Sequence, residues 1–147
     1  MKKLILLALV GINCYALSSS ESKEVTQGVM SAMDQSVKCW NAGDLECFMK
    51  GYVNSPKTLF ISGDKFIYGW QSSYDHYKHK YGSDKKGMGQ LQIKIDGIEA
   101  LDEQHAFLYG HWKLQAESKE YAGVTSLLFK KNDNKWQIMV EIGRAHV

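Results

Sequence analysis

The stretch that decides the fold is VKCWNAGDLECFMKGYVNSPKTLF, residues 37–60. Apolar residues before its Asn-Ala-Gly turn recur every three or four positions and predict an amphipathic helix over Ser22–Trp40. Asn41–Gly43 predicts the end of that helix, because Asn and Gly tolerate the left-handed conformation that closes helices. Asp44 is a typical N-cap for a second helix, which the apolar spacing extends to Tyr52. Two closely linked helices therefore precede whatever sheet the rest of the chain forms.

The segment that follows predicts a hairpin and a third helix. Thr58–Ser62 and Lys65–Tyr68 flank a Gly-Asp pair, which is typical of a tight hairpin turn. Aromatic residues at spacings of four, three and four then predict a helix from Trp70 to Gly82 with one aromatic face. Ser83–Gly89 is polar and glycine-bearing, which favours a loop.

The remainder of the chain predicts β-structure. Alternating apolar residues and intervening turn residues indicate strands at 91–100, 106–115, 121–131 and 135–140. The alternation changes phase at Gly97, which predicts a β-bulge and a bend in the sheet. Helices followed by long, bent antiparallel strands predict an α+β cone: a strongly curved sheet wrapped around three N-terminal helices.

Length and composition exclude several classes of protein. The 147 residues predict one domain, and 44% hydrophobic residues are enough for a packed core. The 18 basic and 16 acidic side chains come into balance once Lys2 and Lys3 are set aside as part of a leader. The chain therefore lacks the basic stripe of a nucleic-acid-binding protein. We expect no cofactor and no metal, because no phosphate-binding loop is present and His76 and His79 fit two solvated histidines better.

Residues 1–16 have the pattern of a secretory signal peptide. Lys2 and Lys3 precede the apolar run Leu4–Ile12, which is too short to span a bilayer as a helix. Small residues at Cys14 and Ala16 predict cleavage after Ala16. We therefore expect a periplasmic or secreted protein that has no membrane contact after cleavage, with residues 17–24 as a flexible lead-in. An uncleaved N-terminal helix and a lipid anchor on Cys14 are the alternatives.

Export changes how the cysteines are interpreted. Cleavage leaves Cys39 near the end of the first helix and Cys47 in the first turn of the second. An oxidising compartment permits a disulfide between them. The sequence leaves this bond and a pair of half-buried thiols both open, because it does not give the distance between the two Cα atoms.

Several sequence pieces together resemble a known family. They are WNAGDLECFM at 40–49, SPKTLFISG at 55–63, YGW at 68–70, GHWKL at 110–114 and KWQI at 135–138. In order and spacing, over residues 25–140, they resemble the nuclear transport factor 2-like superfamily, in its SnoaL-like, ketosteroid-isomerase-like branch. The resemblance implies a curved sheet around a pocket and a homodimer formed through the sheet. It does not imply one reaction, because this fold carries both enzymes and binding modules.

The end of the chain departs from that family. The heptapeptide EIGRAHV, residues 141–147, resembles a translated sequencing adapter. We therefore predict that residues 141–147 are non-native, that Arg144 and His146 have no function, and that the natural ending is acidic and then histidine. Resequencing the genomic locus tests this prediction, and recovery of the same seven codons would contradict it.

The candidate functional residues are mostly aromatic. The carboxylates fall in turns or on wet faces and none stands isolated in an apolar run, which does not favour the isomerase constellation. Helical and strand periodicity predicts inward aromatic groups that wall a pocket for a small apolar molecule, with His111 as its polar group; a filled core and a surface or interface position for His111 are the alternatives. The predicted ligand-binding residues are Trp40, Tyr52, Phe60, Trp70, Tyr74 and His111. The predicted function is small-molecule binding, and the alternative is a lyase- or isomerase-type enzyme that uses the same pocket.

Overall fold

The computed structural model describes residues 16–146, with the backbone alone from Arg144 onward. The predicted signal segment up to Tyr15, including Cys14, therefore lies outside the described residues. Four helices and six strands follow one another as α1 (Ser19–Asn41), α2 (Leu45–Met49), β1 (Leu59–Ser62), β2 (Lys65–Tyr68), α3 (Trp70–Tyr81), α4 (Lys85–Met88), β3 (Gln90–Ala100), β4 (His105–Ala116), β5 (Lys119–Asn132) and β6 (Lys135–His146). The predicted α+β class is confirmed.

The first helix begins earlier than its apolar pattern predicts. Ser18 accepts a hydrogen bond on its Oγ from the Glu21 backbone N–H, at 3.3 Å. Glu21 Oε2 in turn accepts one from the Ser18 backbone N–H, at 2.7 Å. This reciprocal capping box fixes the helix start at Ser19, so residues 19–24 are helical and the predicted flexible lead-in is wrong there. None of the helices from Ser19 onward combines the length and apolarity needed to cross a membrane.

The second helix is shorter than predicted. Asp44 caps it as expected, since its Oδ1 accepts a hydrogen bond from the Cys47 backbone N–H at 2.9 Å. The helix ends at Met49 rather than Tyr52 because Gly51 and Val53 pair instead with Ile138 of β6, through two hydrogen bonds of 2.8 Å. A tertiary contact thus replaces the last helical turn.

Two further features tie the helices together. Cys39 at the end of α1 and Cys47 in α2 form a disulfide, with their Cα atoms 5.4 Å apart. The segment predicted as a loop at 83–89 contains the short helix α4, which Asp84 caps. That prediction is wrong because Met88 is fully buried and its carbonyl accepts a 2.8 Å hydrogen bond from Trp40 Nε1.

The six strands form one sheet in the order β2-β1-β6-β5-β4-β3. Strands β3 to β6 form antiparallel neighbours, and β1 joins β6 in parallel. The bulge predicted at Gly97 is confirmed by the register shift between Ile95 and Gly97. A side chain at Gly97 would collide with the ring of Tyr109, so this position accepts only glycine without rearrangement. Strand β6 runs past its predicted end at Val140, which places residues 141–146 in the sheet.

A candidate ligand-binding cavity

A cavity of about 120 Å³ lies between the helices and the inner face of the sheet. Its wall is mainly aromatic and aliphatic, and the helical side is rigidly packed. Trp40 meets Phe48, Tyr77 and Tyr81 edge-to-face, at centroid distances of 4.8, 5.8 and 5.2 Å. Since an apolar cavity of about 150 Å³ holds benzene, this space suits a group of about one ring. The sheet contributes Leu91, Ile93, Trp112, Leu114, Leu127 and Ile138.

A polar cluster lies within this apolar wall. Glu141 of β6 directs its carboxylate between two tyrosines, and Oε2 accepts hydrogen bonds from the hydroxyls of Tyr52 at 2.5 Å and Tyr77 at 2.9 Å. The two hydroxyl oxygens lie 3.3 Å apart. Glu141 lines the cavity, and within residues 16–143 no hydrogen bond reaches its Oε1.

Burial controls the protonation of this cluster. It raises the pKa of Glu141 above its ordinary value, while the hydrogen bonds from Tyr52 and Tyr77 act in the opposite direction. The Glu141 residue as a whole is only half-buried, but its carboxylate oxygen Oε2 lies against the hydroxyls of two buried tyrosines, Tyr52 and Tyr77. Burial, together with the nearby Glu141 charge, raises the pKa of both tyrosines well above 10.0. Both hydroxyls therefore stay protonated as donors, and Glu141 is the group of the cluster able to exchange a proton.

Glu141 is the first residue of the run predicted to be non-native, and the fold does not test that prediction. Strand pairing joins backbone groups and does not depend on which side chains residues 141–146 carry. The two tyrosines lie outside the run, in segments that the sequence resemblance covers. Their convergent, buried hydroxyls favour a hydrogen-bond acceptor at position 141, because an unpaired buried donor costs about 1–3 kcal/mol.

A second polar group faces the cavity without a partner. Thr125 of β5 is buried, and its Oγ1 makes no hydrogen bond within the described residues. Thr125 pairs with Gly143 of β6, next to the inward-facing Glu141. A threonine elsewhere in the core shows the usual arrangement: Thr58 Oγ1 donates to the Val53 carbonyl oxygen. Thr125 therefore marks a place where a bound molecule would supply the missing partner.

The rim of the cavity is partly exposed and carries basic groups. His76 and Lys80 lie on α3, and the His76 ring meets Phe60 edge-to-face at 5.4 Å. Burial lowers the pKa of His76, and the nearby Lys80, Lys65 and His79 lower it further. Among the residues that the structure describes, no group of histidine, cysteine and carboxylate side chains is arranged to hold a metal ion.

Three of the six predicted ligand-binding residues line this cavity: Trp40, Tyr52 and Phe60. Trp70 and Tyr74 do not line it, because the start of α3 lies outside the cone. Their rings stack on each other at 5.5 Å, and Trp70 Nε1 donates to the Met49 carbonyl oxygen at 2.8 Å. The inward aromatic residues of α3 are instead Tyr77 and Tyr81, one and two turns further on.

His111 lies on the outer face of the sheet. It is exposed, and its Nδ1 is 2.5 Å from Asp96 Oδ2. The hydrogen bonds from Lys94 and His111 lower the pKa of Asp96. The alternation along β4 correctly separates two faces, but the face that contains Trp112 and Leu114 is the inner one. His111 thus has the surface or interface position that was its alternative assignment.

The predicted site residues also leave out several residues that line the cavity, among them Tyr77, Glu141, Thr125 and Trp112. Tyr77 belongs to the predicted aromatic stripe of α3. It lines the cavity and Trp70 does not, because of the angle at which α3 packs against the sheet. Glu141 belongs to the terminal run that the sequence predicts to be non-native. Thr125 and Trp112 carry no local signal, because their roles depend on which face of the sheet turns inward.

Comparison with known proteins gives a consistent result. No family model matches the chain, and no curated protein matches it. A nuclear transport factor 2-like protein of unknown function from Shewanella oneidensis is 31% identical, with a TM-score of 0.78 over 82% of this chain and 98% of that one. A cystatin-like domain of unknown function from Nostoc punctiforme is 14% identical, with a TM-score of 0.67 over 89% and 80% of the two chains.

A third similar structure is a ketosteroid isomerase-like protein from Erwinia carotovora. It is 13% identical, with a TM-score of 0.66 over 82% of this chain and 95% of that one, so it supports the fold alone. Together with the Shewanella protein, it confirms the fold that the sequence pieces predict. The chain belongs to the nuclear transport factor 2-like superfamily.

Proposed function

We propose that this protein binds a small, largely apolar molecule in the cavity beneath the curved sheet. The observation that carries the proposal is the Thr125 hydroxyl, which is buried in an aromatic cavity and has no hydrogen-bond partner among the side chains and backbone that the structure describes. An empty site of this kind is unfavourable, because a buried hydroxyl that lacks a hydrogen bond destabilises the fold by about 1–3 kcal/mol. A ligand with one ring and one hydrogen-bonding group would occupy the space and satisfy Thr125.

Replacement of Thr125 by valine tests this proposal. The variant keeps the shape of the side chain and removes the unpaired hydroxyl, so we expect the free energy of unfolding to stay the same or rise by about 1 kcal/mol. Benzyl alcohol, followed through the fluorescence of Trp40 and Trp112, should bind the wild type and lose roughly fivefold in affinity in Thr125→Val. Toluene should bind both proteins equally.

Thr58→Val is the matched control. Its hydroxyl already has a partner in Val53, so valine should lower the free energy of unfolding by about 1–3 kcal/mol and leave benzyl alcohol binding unchanged. A wild-type protein that binds neither probe would overturn the proposal. If Thr125→Val and Thr58→Val lose equal stability, the Thr125 hydroxyl already has a hydrogen-bond partner in solution.

The second candidate is an enzyme that uses Glu141 as a general base. The favouring observation is a cavity-lining carboxylate with a raised pKa, whose Oε1 accepts no hydrogen bond within residues 16–143, and two neutral tyrosine donors beside it. Exchange of the α-protons of cyclohexanone into deuterated water gives a direct test. The rate should rise with pH through a midpoint above 4.5, as Glu141 ionises, and fall to the buffer rate in Glu141→Gln. If the wild type and Glu141→Gln exchange these protons at equal rates, the enzyme proposal is wrong.

We also propose that the chain is exported, as the Lys2–Ala16 pattern predicts. The Cys39–Cys47 disulfide supports this, because such bonds persist in oxidising compartments. Protein recovered from the cell envelope should have an intact mass that lacks the first 16 residues. A full-length mass would contradict the proposal.

A homodimer through the outer face of the sheet is the partner we propose. This face carries several exposed apolar side chains, a pattern typical of protein interfaces: Phe66, Tyr68, Tyr109, Val124 and Ile142. Strands β1, β6, β5 and β4 run through it side by side, which would let two copies pack face to face.

Light scattering of a lysine variant tests the dimer. We expect the wild type to have twice the mass of one chain and Val124→Lys to have the mass of one, because the change buries a charge in the interface. Met30→Lys is the control, since Met30 is an equally exposed apolar residue on α1. A wild-type protein with the mass of a single chain would exclude the proposal.

A further inference from the structure

The rim of the cavity carries positive charge that the described fold does not neutralise. His76 and Lys80 line the opening, and the charged groups that shift the pKa of His76 are Lys80, Lys65 and His79. The four ion pairs formed by described residues involve Lys94, His105, His111 and Lys131 instead. The opening thus combines a basic edge with an apolar interior.

The cavity is lined by buried apolar side chains and by partly or fully exposed basic ones. The cavity side chains that are most buried are mainly apolar or aromatic, among them Phe48, Leu114 and Leu127. Lys80 also lines the cavity but is exposed, with its Nζ 5.1 Å from the centroid of the Tyr81 ring. A bound anion would therefore place its charged group beside His76 and Lys80 and its body further inward, where a second hydrogen-bonding group would reach Thr125.

We propose that the ligand of this cavity is an amphipathic anion: a single-ring or short aliphatic carboxylic acid whose carboxylate pairs with Lys80 and His76. The inference deepens the proposed binding function and rests on it. A carboxylate at this edge would neutralise the rim and accept hydrogen bonds from both side chains, while its body fills the cavity. The Glu141 carboxylate is held by Tyr52 and Tyr77 and is not one of the groups that shift the pKa of His76.

Phenylacetate and phenylacetamide form a matched pair of probes, because they have the same size and differ in charge. We expect the wild type to bind phenylacetate more tightly, and Lys80→Gln to weaken phenylacetate roughly fivefold while leaving phenylacetamide unchanged. Lys78→Gln is the control on the same helix, since Lys78 lies over the ring of Tyr74, away from the cavity. Added salt should weaken phenylacetate binding alone.

The pH dependence gives a second readout. Affinity for phenylacetate should rise as the pH falls from about 7 to about 5.5, because His76 gains a proton below its ordinary pKa while the ligand, with a pKa of about 4, stays ionised. Glu141 gains protons in the same direction, so His76→Gln separates the two contributions: it should remove most of the rise. Tryptophan fluorescence or line broadening of the ligand protons measures each affinity.

The outcomes separate this inference from the proposed function. Equal binding of the two probes, unaffected by Lys80→Gln, would overturn the inference and leave a cavity that binds neutral molecules. Binding of phenylacetamide without binding of phenylacetate would also overturn the inference and leave a cavity that binds neutral molecules. Failure of both probes, together with benzyl alcohol and toluene, would overturn the inference and the proposed function together.

Discussion

Replacement of Trp40 by alanine should lower the free energy of unfolding by about 3–5 kcal/mol, the cost typical of removing a large buried aromatic side chain. Trp40 is 3% exposed and contacts three other rings of the cavity wall. Its Nε1 also holds α4 through the Met88 carbonyl. Its loss would leave a void among rigid neighbours and an unpaired carbonyl. Urea denaturation followed by circular dichroism measures the change.

Trp70→Ala is the matched control. Trp70 is partly exposed and stacks on Tyr74 outside the cavity, although its Nε1 also donates to a carbonyl oxygen. We expect a cost of about 1–2 kcal/mol and no change in ligand binding. If the two variants lose equal stability, the central role given to Trp40 in the cavity wall is wrong.

Reduction of the Cys39–Cys47 disulfide should lower the free energy of unfolding by about 2.5 kcal/mol. The bond closes a short loop, with the two cysteines eight residues apart, and restricts the unfolded chain accordingly. Urea denaturation with and without a reductant measures the effect. The double variant Cys39→Ala, Cys47→Ala should match the reduced protein and show no further response to reductant. A wild-type protein indifferent to reductant would show that the thiols are free.

Much of the fold could be predicted because its signals are local. The turn at Asn41–Gly43, the Asp44 cap and the bulge at Gly97 each depend on residues that are neighbours in the chain. The early start of α1 also had a local signal, since Ser18 and Glu21 have capping-box spacing. By contrast, α2 stops at Met49 because of Ile138, far along the chain, and no local pattern contains that contact.

The candidate site was harder to predict for the same reason. Periodicity predicts the aromatic stripe of α3 but not the angle at which the helix enters the cone, so it indicates Trp70 and Tyr74 where the structure has Tyr77. Alternation predicts the two faces of β4 but not which of them the bend turns inward, so it indicates His111 where the structure has Trp112. The Tyr52–Tyr77–Glu141 cluster joins three separate segments, and only the folded sheet brings them together.

The position of β6 between β1 and β5 has a consequence for how the protein folds. The β1–β2 hairpin is hydrogen-bonded to the rest of the sheet through β6, so it cannot join the sheet until that strand arrives. Pairing β1 with β6 closes a long loop of chain, and this closure costs conformational entropy before the strand pairing offsets it. Chains dominated by such distant pairings fold in roughly milliseconds to seconds, rather than microseconds. Docking of the β1–β2 hairpin onto the sheet therefore waits for β6, whereas β3, β4 and β5 can pair with one another without it.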